Sequence, residues 1–173
     1  RISLTVGFVA VIIAVLVGII VFIAYTFRRV SKPVASWKYG LVAIVALIHD
    51  VCITMGVFAF LGRFFGVEVD IPFVVALLTI LGYSVNDTIV IFDRIRENLI
   101  RRTSDNFPGT VNFAVNETFA RSTNTAAGTL LTLLALFLFG GDTIKFFSLA
   151  LFIGIFLGTY SSIFVASPLL VEV

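Results

Sequence analysis

Leu81-Gly82-Tyr83-Ser84-Val85-Asn86-Asp87-Thr88-Ile89-Val90-Ile91-Phe92-Asp93-Arg94 places a carboxylic acid, Asp87, inside an apolar run long enough to cross a membrane. An ionisable side chain at such a depth opposes insertion into lipid, so its presence marks a candidate functional position. The run reaches back to Ile71, and the next apolar run opens with a second buried-charge candidate, Arg121.

The composition around this stretch is that of a membrane protein. Of 173 residues 60% are hydrophobic and 13% charged, whereas a soluble domain is about half apolar and about a quarter charged. Mean hydropathy is +1.13. Nineteen Phe suit a lipid-facing surface better than a compact soluble core. The one cysteine, Cys52, cannot form an intrachain disulfide and says nothing of redox compartment. There is no phosphate-binding glycine loop, no zinc spacing and no nucleophile–base arrangement, so no enzymatic activity, no metal and no organic cofactor is expected. The chain opens at Arg1 with no Met and no secretory signal, and it stops at Glu172-Val173 behind another apolar run. Both ends read as cuts in a longer polypeptide.

Five segments approach the roughly 20 residues that a bilayer core requires: about 4–27, 40–61, 71–92, 120–139 and 144–170. The expected fold is therefore an all-α, polytopic bundle of five transmembrane helices in a single membrane domain over 1–173. Connectors after the first and third spans hold eight Lys and Arg; those after the second and fourth hold only Arg63 and Lys145. The positive-inside rule puts the first pair in the cytoplasm, the N-terminus of the chain outside and its C-terminus inside. The stretch 93–107 reads as a cytoplasmic surface helix, with Ile95, Leu99 and Ile100 on one side and Arg94, Arg101 and Arg102 toward lipid headgroups. Phe107-Pro108-Gly109 reads as a break, with Thr110 as the cap of the helix leading into the fourth span. Gly140-Gly141-Asp142 reads as a tight turn.

Depth follows from a rise of about 1.5 Å per residue. Counted from the outer ends of their spans, Asp87 lies roughly 24 Å and Arg121 roughly 27 Å down a core about 30 Å thick. They share a depth on sequence-adjacent antiparallel spans, so Arg121 is the expected partner of Asp87. Asp50 comes out roughly 15 Å from the cytoplasmic end, near the midplane. A carboxylate beside a guanidinium stays ionised more easily, while desolvation favours its neutral form. If the two nearly cancel, a small movement of Arg121 switches Asp87 between protonated and ionised, which links helix motion to proton transfer. The plainer reading is a permanent structural ion pair, or an Arg121 that snorkels to the interface.

Polar neighbours extend these faces. Tyr83, Asn86 and Asp87 cluster on the third span; Arg121, Thr125, Gly128 and Thr132 fall on one stripe of the fourth; Ala46, Asp50 and Thr54 on one stripe of the second. Such stripes line a wet seam between helices or serve interhelical hydrogen bonds. His49 reads as a hydrogen-bonded interior residue. Gly154, Gly158, Ser162 and Ala166, each four apart, read as a packing seam and not as a site.

Several stretches together resemble the bacterial SecF family: His49-Asp50-Val51, the run Gly82 to Val90, Asp93-Arg94-Ile95-Arg96-Glu97-Asn98, Arg121-Ser122-Thr123, Phe139-Gly140-Gly141 and the region Gly154 to Ala166. The likeness covers essentially the whole chain, which is similar to helices two to six of the six in that family. It implies a membrane fold related to the resistance-nodulation-division transporters. It also implies a SecD partner, or a SecD half in the same polypeptide, and work alongside the SecYEG translocon. The proton-motive force would then help draw secretory proteins across the bacterial inner membrane, through periplasmic domains that this sequence does not include. By the same resemblance Asp87 is the proton-binding acid, Arg121 its tuning arginine, and Asp50 a possible second acid. The coupling ion is expected to be a proton; the residues leave sodium open. No nucleic acid is expected as a partner. Two other classes compete: a small-molecule or lipid exporter of the related superfamily, and a non-conducting assembly subunit of the translocon.

Overall fold

A computed structural model describes residues 36–172, together with isolated helical positions Ala14, Val17, Gly18, Val21 and Tyr25. The expected first span, about 4–27, lies outside the described residues apart from those positions. Among the described residues the chain is wholly helical, with no strand. Helix α1 is Ser36–Phe65, α2 is Ile71–Arg101, α3 is Phe107–Phe139 and α4 is Asp142–Ser161. A π-helical stretch, Ser162–Ala166, carries α4 without a break into a last α turn, Ser167–Glu172, here α5. Counting that composite as one, four helices of the described part are long and apolar enough to cross a membrane.

The helix ends follow from local chemistry. α1 stops where Gly66 takes φ 67°, a left-handed conformation that glycine adopts without Cβ strain. Asp70 then caps α2, its carboxylate accepting from the Phe73 amide at 3.0 Å, with Pro72 in the first turn where a missing N–H does no harm. The turn between α3 and α4 sits at Gly140 and Gly141, Gly141 having φ 78°.

Two expectations about the long polar stretch are corrected. The residues after Phe92 form no separate surface helix: α2 runs on unbroken to Arg101 and turns at Arg102, with φ 54°. Its charges are matched one turn apart, Arg94 with Glu97 at 2.5 Å and Arg101 with Glu97 at 2.6 Å, which supports a continuous helix. Ile95 is fully buried, Leu99 packs against the core and Ile100 is exposed, so the three do not share one lipid-facing side. The cap of α3 is Asn106 and not Thr110: Asn106 Oδ1 accepts from the Gly109 amide at 2.8 Å, and Pro108 lies inside the first turn instead of breaking it.

Apolar side chains form two main clusters at opposite ends of the bundle. One joins Tyr39, Val42 and Ala46 of α1, Ile91, Phe92 and Ile95 of α2, Val111 and Ala114 of α3, and Ile163, Ala166 and Leu170 beyond α4. The other joins Phe58 of α1, Phe73, Leu77 and Ile80 of α2, Leu133 of α3, and Ala150, Leu151 and Ile155 of α4. Helices α2 and α4 lie closest where α4 has no side chain: a Cβ on Gly154 would overlap Ile80, and one on Gly158 would meet Ser84 Cβ at 3.0 Å. The packing seam expected over Gly154 and Gly158 is thus present, and α2 is the helix that fills it.

Candidate functional site

Between the two apolar clusters lies a layer of buried polar side chains: Asp50 and Thr54 from α1, Ser84 and Thr88 from α2, Ser122 from α3, Ser161 from α4 and Ser162 from the π-helical stretch. Two carboxylates organise it.

Asp50 is 0% exposed. Its Oδ2 accepts from Ser84 Oγ at 2.6 Å and from Ser161 Oγ at 2.7 Å. Its Oδ1 lies 3.1 Å from His49 Nδ1. Asp87, half-buried, is held on both oxygens: Ser122 Oγ donates to Oδ1 at 2.6 Å, and Ser162 Oγ donates to Oδ2. A buried carboxylate requires hydrogen bonds to replace its hydration, and hydroxyls supply them without adding charge. Ser84 and Asp87 are three residues apart on α2, a rise of roughly 4.5 Å. Ser161 and Ser162 are neighbours in sequence, so one dipeptide reaches both acids.

The expected Asp87–Arg121 pair does not form within this chain. Arg121 is exposed on the outer side of α3, and among the described residues it takes part in no ion pair and no side-chain hydrogen bond. The buried face of α3 carries Thr118, Ser122, Ala126 and Leu133, and Ser122 therefore meets Asp87. Arg121, Thr125, Gly128 and Thr132 do share a stripe, as expected, but all four are exposed and the stripe faces away from the other described helices. Thr125 bonds only its own helix, donating to the Arg121 carbonyl at 2.9 Å. Asn86 is exposed and outside the layer; Tyr83 is half-buried and packs against the cluster around Phe58 and Phe73. Thr54, on the Asp50 stripe, is buried and donates back to the Asp50 carbonyl at 2.9 Å.

Ser162, read from sequence as packing alone, is a hydrogen-bond donor of the site. Ser84, Ser122 and Ser161 join it without having been singled out. The sequence signals were Ser84, three residues before Asp87, and Ser162, four residues along the small-residue seam; nothing comparable marks Ser122 or Ser161. Among the described residues no group of three His, Cys, Asp or Glu is placed to hold a metal ion.

At the end of α2 beyond the apolar run, a second cluster ties α2 to α3. Arg94 grips Glu117 with two nitrogens at 2.8 and 2.7 Å, and Asn98 Nδ2 donates to the same carboxylate at 2.8 Å. These contacts fix α3 against α2 at the same end of the bundle as the apolar cluster of Tyr39 and Phe92.

Residues 3–173 match the family model described as protein export membrane protein SecD/SecF, C-terminal. The chain is 56% identical over 155 residues to the protein translocase subunit SecF of Thermobaculum terrenum, covering 90% of this chain and 48% of that one. It is 50% identical over 163 residues to SecF of a Synechocystis species, covering 94% and 49%. Against the fused protein translocase subunit SecDF of Thermus thermophilus it is 44% identical over 165 residues, which is 92% of this chain and 20% of that one. The chain thus spans about half the length of the SecF relatives. A crystal structure of SecDF in its super-membrane-facing form superposes with a TM-score of 0.79 at 43% identity, over 91% of this chain and 20% of that chain.

Proposed function

Since the chain belongs to the SecD/SecF family of protein export membrane proteins, as its SecF part, we propose that it is the ion-handling membrane module of an export motor. The motor comprises SecD, or a SecD half of the same polypeptide, and works beside the SecYEG translocon in the bacterial inner membrane on secretory proteins in transit. The proton-motive force drives it, at about 2.3 kcal/mol per charge per 100 mV.

The observation that supports this reading best is Asp87: a carboxylate inside an apolar bundle, held by hydroxyls from α3 and from the end of α4 and, among the described residues, by no cation. Such an acid can take up a proton with little rearrangement, because a hydroxyl serves a carboxylate as donor and a carboxylic acid as acceptor. Arg121 acts from the other side of α3. It faces the SecD partner, and a charge left facing lipid alone would oppose insertion by about 2.5–3.5 kcal/mol. The basic ends of α2 and of the 28–38 connector lie in the cytoplasm by the positive-inside rule.

The test is Asp87→Asn in the full SecD/SecF complex in membrane vesicles. Assembly is expected to be normal and the stimulation of export by a proton gradient to be lost. Stimulation equal to that of the parent complex would favour a non-conducting assembly subunit. Repeating the assay with a sodium gradient in place of the proton gradient identifies the coupling ion.

A further inference from the structure

Asp50 is built like Asp87, and both are read by one dipeptide. Each acid has one hydroxyl partner from Ser161–Ser162, and each of those hydroxyls has a second acceptor already in reach. Ser161 Oγ lies 2.7 Å from Asp50 Oδ2 and 3.3 Å from the Gly158 carbonyl. Ser162 Oγ bonds Asp87 Oδ2 and lies 2.9 Å from the Thr159 carbonyl. Both alternatives are carbonyls one turn back on the same helix, so no side chain need move to use them.

That geometry has a chemical consequence. With the acid ionised, the serine donates its hydrogen to the carboxylate. When the acid takes up a proton, the new O–H donates to the serine oxygen, and the serine hydrogen turns to the backbone carbonyl. One proton is gained, no hydrogen bond is lost, and only a hydroxyl rotates. Ser148, which bonds no carboxylate, makes the same bonds to carbonyls three and four residues back; Ser161 and Ser162 combine such a carbonyl with a carboxylate, so each hydroxyl keeps an acceptor in either charge state of the acid.

We propose that Asp50 is a second proton-loading site of this module, alternating between charged and neutral as Asp87 does, with Ser161–Ser162 as the positioning dipeptide that accommodates both states. The proposal rests on the reading of Asp87 as a proton carrier. Among the described residues the groups facing Asp50 are few. On α1 it touches His49, whose side chain is 33% exposed and which gives the fully buried acid its contact with the outside of the bundle. From α2 it meets Ser84, flanked within one turn by Tyr83 and Asp87; from α4 it meets Ser161, next to Tyr160, whose ring is exposed and stacks on Phe164. None of these contacts is a permanent cation that would lock the carboxylate in its charged form.

Asp50 and Asp87 also share mechanical support. The π-helical turn that begins at Ser162 is held by Ser167 Oγ, which donates to the Ser162 carbonyl at 2.9 Å, five residues back. Single π-helical turns inside α-helices recur at functional sites. Here the turn sits where one helix serves two acids from consecutive residues.

The experiment is infrared difference spectroscopy of the full SecD/SecF complex in vesicles, titrated with pH, comparing the parent with Asp50→Asn, Asp87→Asn and Ser161→Ala. Two titrating carboxyl bands are expected from this module. Asp87→Asn removes one and Asp50→Asn the other, while Ser161→Ala shifts the frequency of the Asp50 band and leaves the Asp87 band in place. An Asp50→Asn spectrum that titrates like the parent's overturns the proposal, as does a Ser161→Ala spectrum identical to the parent's. Should Asp50→Asn fail to assemble, the Ser161→Ala comparison decides alone. Failure here leaves the role of Asp87 standing, since that is read from gradient-driven export and not from the Asp50 band.

Discussion

Gly158 of α4 lies directly over Ser84 of α2, so close that a β-carbon on the glycine would come within 3.0 Å of Ser84 Cβ and 3.3 Å of its Cα. Ser84 is also a donor to Asp50. The contact that lets two helices approach is therefore the one that positions a hydroxyl against a buried acid. Gly158→Ala should push α4 off α2 and lower stability by about 1–3 kcal/mol, the usual range for overpacking. Gly82→Ala, on the open side of α2 with nothing within 4 Å, should leave stability unchanged or slightly raised. Thermal unfolding of the purified protein in detergent compares the two; equal midpoints would contradict the packing described.

That Asp87 and Arg121 share a layer was legible in the sequence, and their azimuth was not. Counting residues from a span's end locates Asp87 and Arg121 in one layer. Residues 121 and 122, however, point about 100° apart on a helix of 3.6 residues per turn, so only one of them can face α2. The buried face 118, 122, 126, 133 decides for Ser122. Depth also set Asp50 well apart from Asp87, because sequence gives no register between helices; in the structure consecutive serines, Ser161 and Ser162, reach both acids. The small-residue seam was readable at Gly154 and Gly158, since absence of a side chain has one main use there. Ser162 stands on the same seam and has two uses, packing and hydrogen bonding. The extension of α2 past Phe92 was hidden by its charges, which read as a surface helix until Glu97 is seen pairing with Arg94 and Arg101 along one continuous helix.

Ser122 supplies one of the two hydroxyls on Asp87, and it is 3% exposed. A hydrogen bond to a charged group contributes about 1.5–3 kcal/mol. Ser122→Ala should therefore reduce gradient-driven export in the full complex by about tenfold at fixed pH, with assembly intact, since 1.4 kcal/mol corresponds to one decade. Ser122→Thr, which keeps the hydroxyl, should retain most of the activity. Vesicle export assays with a proton gradient separate the two, and an alanine variant as active as the threonine one would remove Ser122 from the site.

The Arg94–Glu117 pair is bidentate, but its side chains are 30% and 29% exposed. Exposed pairs of this kind contribute about 1 kcal/mol or less. A double-mutant cycle with Arg94→Gln and Glu117→Gln should return a coupling of that order. It should shrink in 1 M salt, where the screening length is about 3 Å. Chemical denaturation of the four proteins in detergent measures it. Coupling of several kcal/mol, unaffected by salt, would mean that the cluster is buried by a partner and not set at an open end.

The stripe Arg121, Thr125, Gly128 and Thr132 leaves one group in need of a partner. Thr125 and Thr132 donate to carbonyls of their own helix at 2.9 and 3.1 Å, so lipid could face them without loss. Arg121 has no such recourse among the described residues, and only 17% of the most apolar window of α3 is buried, against 50% for the composite helix Asp142–Glu172. A membrane helix with an uncovered face and an unpaired guanidinium on it calls for an acidic partner helix in the assembled complex. A photo-crosslinking phenylalanine analogue in place of Thr132 should then give a covalent adduct to SecD on illumination of the full complex. The same replacement at Val75, exposed on α2, tests whether crosslinking is specific to the α3 face. Adducts to lipid alone at Thr132 would show that this stripe is not the SecD-facing side, and Arg121 would then have to find its counter-charge by swinging back across α3 toward Asp87.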